Sequence, residues 1–145
     1  FEAEGYAEPF VSFYDQFPKE VSVPLKGRAQ KLALLTAVST NPNVAWMEAA
    51  QVIVEYADGT AKTLSLVPPD NCDDWLGYSW GHWARSNSAM DNTPYAVKGN
   101  PVKFAPRAHA NVLAIDLDPK RELKSLRFVC RGTETLAGLL AATLY

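Results

Sequence analysis

The sequence predicts an all-β protein, an antiparallel β-sandwich, and three observations carry that expectation. β-prone runs separated by turn signals recur along the chain, while helical spacing of apolar residues shows only near the C-terminus. Two of those runs, QVIVEY and AKTLSL, flank Asp58-Gly59, a pair that favours a tight hairpin. The totals are those of one globular domain, with 145 residues, 48% hydrophobic and 21% charged, which is enough chain to bury a sizeable core.

Taken in order, residues 1–19 form an aromatic-rich lead-in broken by Pro9 and Pro18, with one short strand expected near Phe10–Tyr14. The single sandwich domain then spans residues 20–145. Val21, Val23 and Leu25 alternate with Glu20, Ser22 and Pro24, the pattern of a strand with one wet face. Pro24 cannot donate to a ladder, so this strand is expected at an edge or to end there. KLALLTAV (31–38) is continuously apolar and reads as a strand buried on both faces. A loop carrying Trp46 leads into the Asp58-Gly59 hairpin, where a two-residue type I′ turn is expected.

The segment from Val67 to Asn111 reads as one long loop. NVLAIDLD (111–118) is a further core strand, and Asp118-Pro119-Lys120-Arg121 a turn. In LKSLRFVCR, Leu126, Phe128 and Cys130 share one face, with Ser125, Arg127 and Arg131 on the other. The closing LAGLLAATLY is ambiguous. Leu136, Leu139, Leu140 and Leu144 recur at helical spacing, but Gly138 and the surrounding β pattern favour a strand, which is the expectation adopted.

The net charge of −2 and the scattered Lys and Arg argue against a nucleic-acid partner. No apolar run approaches a membrane span. The chain opens at Phe1 with neither Met nor signal peptide, as expected of a piece of a longer protein. Cys72 and Cys130 are too few for a disulfide scaffold or a zinc site and are expected as two buried or partly buried thiols, a single bridge being the alternative.

The long loop holds the most unusual stretch, WLGYSWGHW (75–83), with three of the four tryptophans. Long loops in compact domains are usually functional or disordered, and disordered segments are poor in aromatics. If strand 31–38 runs up, 51–57 down and 60–67 up, the loops bearing Trp46 and Trp75 leave from the same end. All four tryptophans, Trp46, Trp75, Trp80 and Trp83, are therefore expected at one rim. Sugars present apolar C–H faces ringed by hydroxyls, and Trp and Tyr supply flat surface with a hydrogen-bonding tip. Trp80 and Trp83 are the expected stacking rings, helped by Trp46 and Tyr78. Asp74, His82, Arg85, Asn87 and Asn92 are placed to take hydroxyls. Trp75 is as readily a pin holding the loop on the core.

Asp70, Asp73 and Asp74, with Asp91 farther along, could serve acid–base work. Adjacent acids in such a loop are more often solvated turn residues, and calcium is the next reading. No cofactor beyond such a structural calcium is expected. His82 and His109, the only histidines, lack a third zinc ligand and are expected as hydrogen-bonding loop residues. Ser86 and Ser88 lie in no nucleophile elbow, and no phosphate loop, dinucleotide fingerprint or zinc-protease motif occurs. The chain is therefore not expected to be an enzyme.

The succession VSVPLKGRAQKLALLTAVST, VIVEYADGTAKTLSL, NCDDW and VLAIDLDPKRELKSLRF resembles galactose-binding-like β-sandwich (jelly-roll) modules appended to bacterial polysaccharide-degrading enzymes, particularly large glycoside hydrolases. The carrying features are the Tyr56-Ala57-Asp58-Gly59 hairpin, the Asn71-Cys72-Asp73-Asp74-Trp75 segment and the closing apolar strand, covering roughly residues 20–145. The resemblance implies a secreted, periplasmic or cell-surface module without catalysis of its own. It would recognise carbohydrate, or pack as a structural module against a neighbouring domain of the same polypeptide. GYSWGHWARSNSAMDNTPY is longer than such modules lead one to expect, and no binding residue is carried across it.

Overall fold

The computed structural model describes residues 16–40, 46–68, 70–75, 100–105, 108–132 and 134–145. Eight strands occur among them: β1 (Glu20–Pro24), β2 (Lys31–Thr40), β3 (Ala50–Tyr56), β4 (Ala61–Leu66), β5 (Asn100–Ala105), β6 (Ala108–Asp116), β7 (Leu123–Cys130) and β8 (Thr135–Leu144). They form two four-stranded sheets, the first in the order β1-β7-β3-β4 and the second β5-β6-β2-β8. Every pairing between named strands is antiparallel. The strand expected at Phe10–Tyr14 lies outside the described residues.

Alternation explains how the sheets close on one core. Leu32, Leu34 and Val38 of β2 and Leu113 and Ile115 of β6 face Val52, Val54 and Tyr56 of β3 and Leu126 and Phe128 of β7 in one buried cluster. The architecture is thus a β-sandwich. We call the end with the Asp58-Gly59 turn the bottom; β2 ends, and β3 and β8 begin, at the opposite end, the top. Among the described residues no helix is long and apolar enough to cross a membrane.

Four local expectations need correction. β2 is buried on one face only. Leu32, Leu34, Thr36 and Val38 are buried while Ala33, Leu35, Ala37 and Ser39 are half-buried, because no described element covers the outer face of the second sheet. The wet and dry faces expected of β1 are not distinguished, since all five of its residues are exposed; it does lie at an edge and stops at Pro24. The long loop is interrupted by β5 and the start of β6, whose Pro101 and Lys103 obscure the strand pattern. The hairpin turn is not type I′, because Gly59 has φ 83° but Asp58 is not in the positive-φ region. Gly59 N–H bonds the Tyr56 carbonyl at 3.1 Å and Tyr56 N–H the Thr60 carbonyl at 2.9 Å, giving a three-residue loop that ends on a left-handed glycine. Asp58 Oδ1 accepts the Thr60 N–H at 2.9 Å, so its carboxylate caps the turn.

The C-terminal strand is observed, and its helix-like leucine spacing has a cause. The register with β2 shifts between Leu35 and Thr36, pairing Leu35 with Ala141 and Thr36 with Leu139. Leu140 is the extra residue of a β-bulge, and one extra residue turns a period of two into a mixed spacing.

On the outer face of the first sheet, Arg127 is gripped by Glu20 at 2.7 and 3.0 Å and by Glu55 at 3.2 Å. Arg127 donation holds the Glu20 carboxyl below its usual 4.5, and the Ser125 hydroxyl, then Arg127, does the same for Glu55. Carboxylates depressed in the folded state contribute stability above their unfolded pKa and lose it as pH falls through the folded one. The urea midpoint is therefore expected to be level from neutral pH down to about 5 and to fall below about 4.5. Glu55→Gln should flatten that fall, and an unchanged slope would contradict the assignment.

Candidate functional site

The top of the second sheet is split by a piece of inserted backbone. The β2–β6 ladder stops at Thr36 opposite Asn111, and the same register would next pair Val38 with His109. Instead the Val38 carbonyl accepts the Trp75 N–H at 2.7 Å, and the His109 N–H donates to the Trp75 carbonyl at 3.0 Å. Asp74 bridges Val38 in parallel. Residues 74–75 thus act as a short wedge between two strands that would otherwise touch.

The local sequence explains the insertion. Asn71 closes the preceding turn, its Oδ1 accepting the Val67 N–H at 2.8 Å and its Nδ2 donating to the Ser65 carbonyl at 2.7 Å. Cys72 follows into the core with no exposed surface. Burial, then the charges of Asp73 and Asp70, push its thiol well above the usual range, so it is an inert packing group. Cys130 is half-buried, its thiol set against the Thr135 carbonyl at 3.2 Å, and both cysteines are free.

Two acids are buried here, Asp74 in the wedge and Asp73 just before it. Asp73 and Asp74 are each 3% exposed, which overturns the expectation of solvated turn residues. Asp73 Oδ1 accepts the Asp74 N–H at 2.8 Å; Asp70 is half-buried. Among the described residues no group of three His, Cys, Asp or Glu side chains could hold a metal ion. His109 is also not a loop residue: it lies in β6 and is buried.

Sequence reasoning missed Asn111. It is wholly buried, and among the described residues neither its Oδ1 nor its Nδ2 has a hydrogen-bond partner. Thr36, its neighbour across the ladder, is also wholly buried and directs its hydroxyl at the Asn111 backbone carbonyl at 3.4 Å. The signal was present, since Asn111 is in step with the inward-facing Leu113 and Ile115.

Two of the expected aromatic residues are described, and both stand at this end. Trp75 is half-buried in the wedge, fitting a pin more than a platform. Trp46 is 59% exposed and Met47 beside it 58%. Trp46 has φ 65°, the only non-glycine residue with positive φ among those described, and its N–H donates to the Pro68 carbonyl at 2.5 Å. A bulky residue in the left-handed region is strained, and such strain collects at binding sites. Tyr78, Trp80, His82, Trp83, Arg85, Asn87, Asn92, Ser86, Ser88 and Asp91 lie outside the described residues.

Among the described residues the fold is a two-sheet antiparallel β-sandwich whose top end holds the buried Asp73, Asp74, His109 and Asn111 and the exposed Trp46. No protein-family model, no curated protein and no solved structure matches the chain.

Proposed function

We propose that this chain is a non-catalytic accessory module, of the galactose-binding-like jelly-roll type, that binds carbohydrate at the top of its sandwich. It would be exported as part of a polysaccharide-degrading enzyme. The observation that carries this reading is Trp46, a ring with most of its surface exposed on a backbone in the left-handed region. An exposed indole offers a flat apolar face with one hydrogen-bonding tip, which suits the apolar face of a pyranose.

The adjacent Met47 favours a second reading, since two neighbouring exposed apolar side chains also suit a protein contact. The top of the sandwich would then dock on a neighbouring domain of the same polypeptide.

Titration with a panel of plant and bacterial oligosaccharides, read by tryptophan fluorescence and calorimetry, tests the first reading. Binding is expected to weaken about tenfold or more in Trp46→Ala, as loss of one stacking ring worth at least ~1.4 kcal/mol requires. A panel without any response would favour docking, and full affinity in Trp46→Ala would remove the ring from the site.

A further inference from the structure

We infer that the bottom of the sandwich is a second binding surface, one that takes an acidic polysaccharide across its turns. Lys and Arg are scattered along the sequence, and the fold gathers them. Residues 25–31, 57–62 and 116–124 meet at this end and carry five lysines and two arginines, half of the chain's 14 cationic side chains. The three segments are tied together by backbone. The Leu123 N–H donates to the Gly27 carbonyl at 2.8 Å, the Leu117 N–H to the Gln30 carbonyl at 2.8 Å, and the Ala57 N–H to the Glu122 carbonyl at 2.9 Å. All three lie among the described residues.

The four carboxylates of these segments are engaged within the chain. Arg121 lies 3.6 Å from Asp58 and 3.2 Å from Asp118, Arg28 lies 3.5 Å from Glu122, and Lys31 lies 3.4 Å from Asp116. Two of them also cap turns, Asp58 at the Thr60 N–H and Asp118 at the Lys120 N–H, both at 2.9 Å. Four ammonium groups remain. Lys26, Lys120 and Lys124 are exposed and in no ion pair among the described residues, though the charge of Lys124 reaches Glu55. Lys62 is exposed too, and donates to the Asp116 backbone carbonyl rather than to a carboxylate. Seven cations against four carboxylates leave this end positive in a chain whose net charge is −2. Such an asymmetry draws anions to the surface and concentrates them there.

The kind of anion follows from the side chains. A lysine ammonium is a compact point charge on a flexible stem, without the planar fork that arginine offers to one carboxylate or phosphate. Both arginines here are turned to carboxylates of the chain itself, and the surplus charge is lysine. Lysines spread over three segments suit a polymer with an acidic group on successive residues. Tyr145 supplies what suits a sugar. Its carbonyl accepts the Gln30 and Lys31 N–H groups at 2.8 and 2.9 Å, which sets it beside these turns, and it is 61% exposed. An exposed phenol pairs a flat apolar face with a hydroxyl tip, as the face of a pyranose requires. A lipid surface fits less well, because no large apolar side chain is exposed on the three segments to enter the acyl boundary.

Calorimetric titration of the full chain with polygalacturonate and with heparin, over a range of salt, tests this directly. Both polymers are expected to bind at low salt and to weaken as salt rises. Combining Lys26→Gln, Lys120→Gln and Lys124→Gln should reduce the slope of log affinity against log salt by about 2, since each lysine on a single-stranded polyanion accounts for about 0.7. These side chains are exposed and make no ion pair, so the melting temperature should not move. Tyr145→Ala is expected to weaken binding and leave the slope as it was, a split that charge alone would not give. Arg131→Gln, at the top of the first sheet, is the control and should change neither. Absence of binding to both polymers at low salt would overturn the inference. So would full affinity in the triple variant or in Tyr145→Ala, or tighter binding to phosphatidylglycerol vesicles or duplex DNA than to either polymer. Neutral oligosaccharides should leave these turns unmoved, so this surface and the one at Trp46 can fail separately.

Discussion

Leu126→Ala is expected to cost about 2–5 kcal/mol, the range for a leucine truncated in a close-packed core. Leu126 has no exposed surface and sits on β7, which is flanked by β1 and β3. It opposes Val54 across one ladder and belongs to the single cluster that joins the two sheets. A domain of this size holds only about 5–15 kcal/mol in total, so the loss removes a large share of it. The melting temperature should fall by roughly 10 °C. Val102→Thr provides the contrast: Val102 is 45% exposed on the outer face of β5, and the change should stay within about 0.5 kcal/mol. Equal effects of the two substitutions would mean that the two sheets do not enclose this core.

Asn111→Leu is expected to stabilise the fold by about 1–3 kcal/mol. The amide is wholly buried with both polar atoms unpaired among the described residues, and a buried polar group without partners costs about that much relative to an apolar one. The gain has an opposing term, since leucine is bulkier than asparagine and overpacking also costs. Asn111→Val, smaller, separates the two. Chemical denaturation at neutral pH measures both. Destabilisation by both variants would show that the amide makes hydrogen bonds in solution, to water or to a ligand. A stabilised variant that binds glycans poorly would mark Asn111 as a group kept for function at the expense of stability.

The fold was legible because sandwich strands obey a period of two. LKSLRFVCR placed Leu126 and Phe128 inward without knowledge of any partner, and the register agrees. What misled the reading was chemistry that acts across the chain. β5 was hidden because Pro101 and Lys103 resemble loop composition. Asp73 and Asp74 looked solvated because their burial follows from an insertion between Val38 and His109, strands distant in sequence. Asp58-Gly59 signalled the right hairpin and the wrong turn, since the Asp58 carboxylate caps Thr60 and only Gly59 takes the left-handed conformation. At the site, the shared end of Trp46 and Trp75 could be read from strand direction alone. The exposure of Trp46 could not, because it depends on how far the layers cover the rim; the inward placement of Asn111 was readable from its step with Leu113 and Ile115, but the lack of partners for its amide was not.

The placement of the binding surface is tested most directly by following backbone amide shifts during the oligosaccharide titration. The account predicts shifts gathered at Trp46, Met47, Asp74, Trp75 and His109, with Asp58, Gly59 and Arg121 at the far end unmoved. Shifts centred on the bottom turns, or saturable binding that leaves the Trp46 end silent, would contradict it.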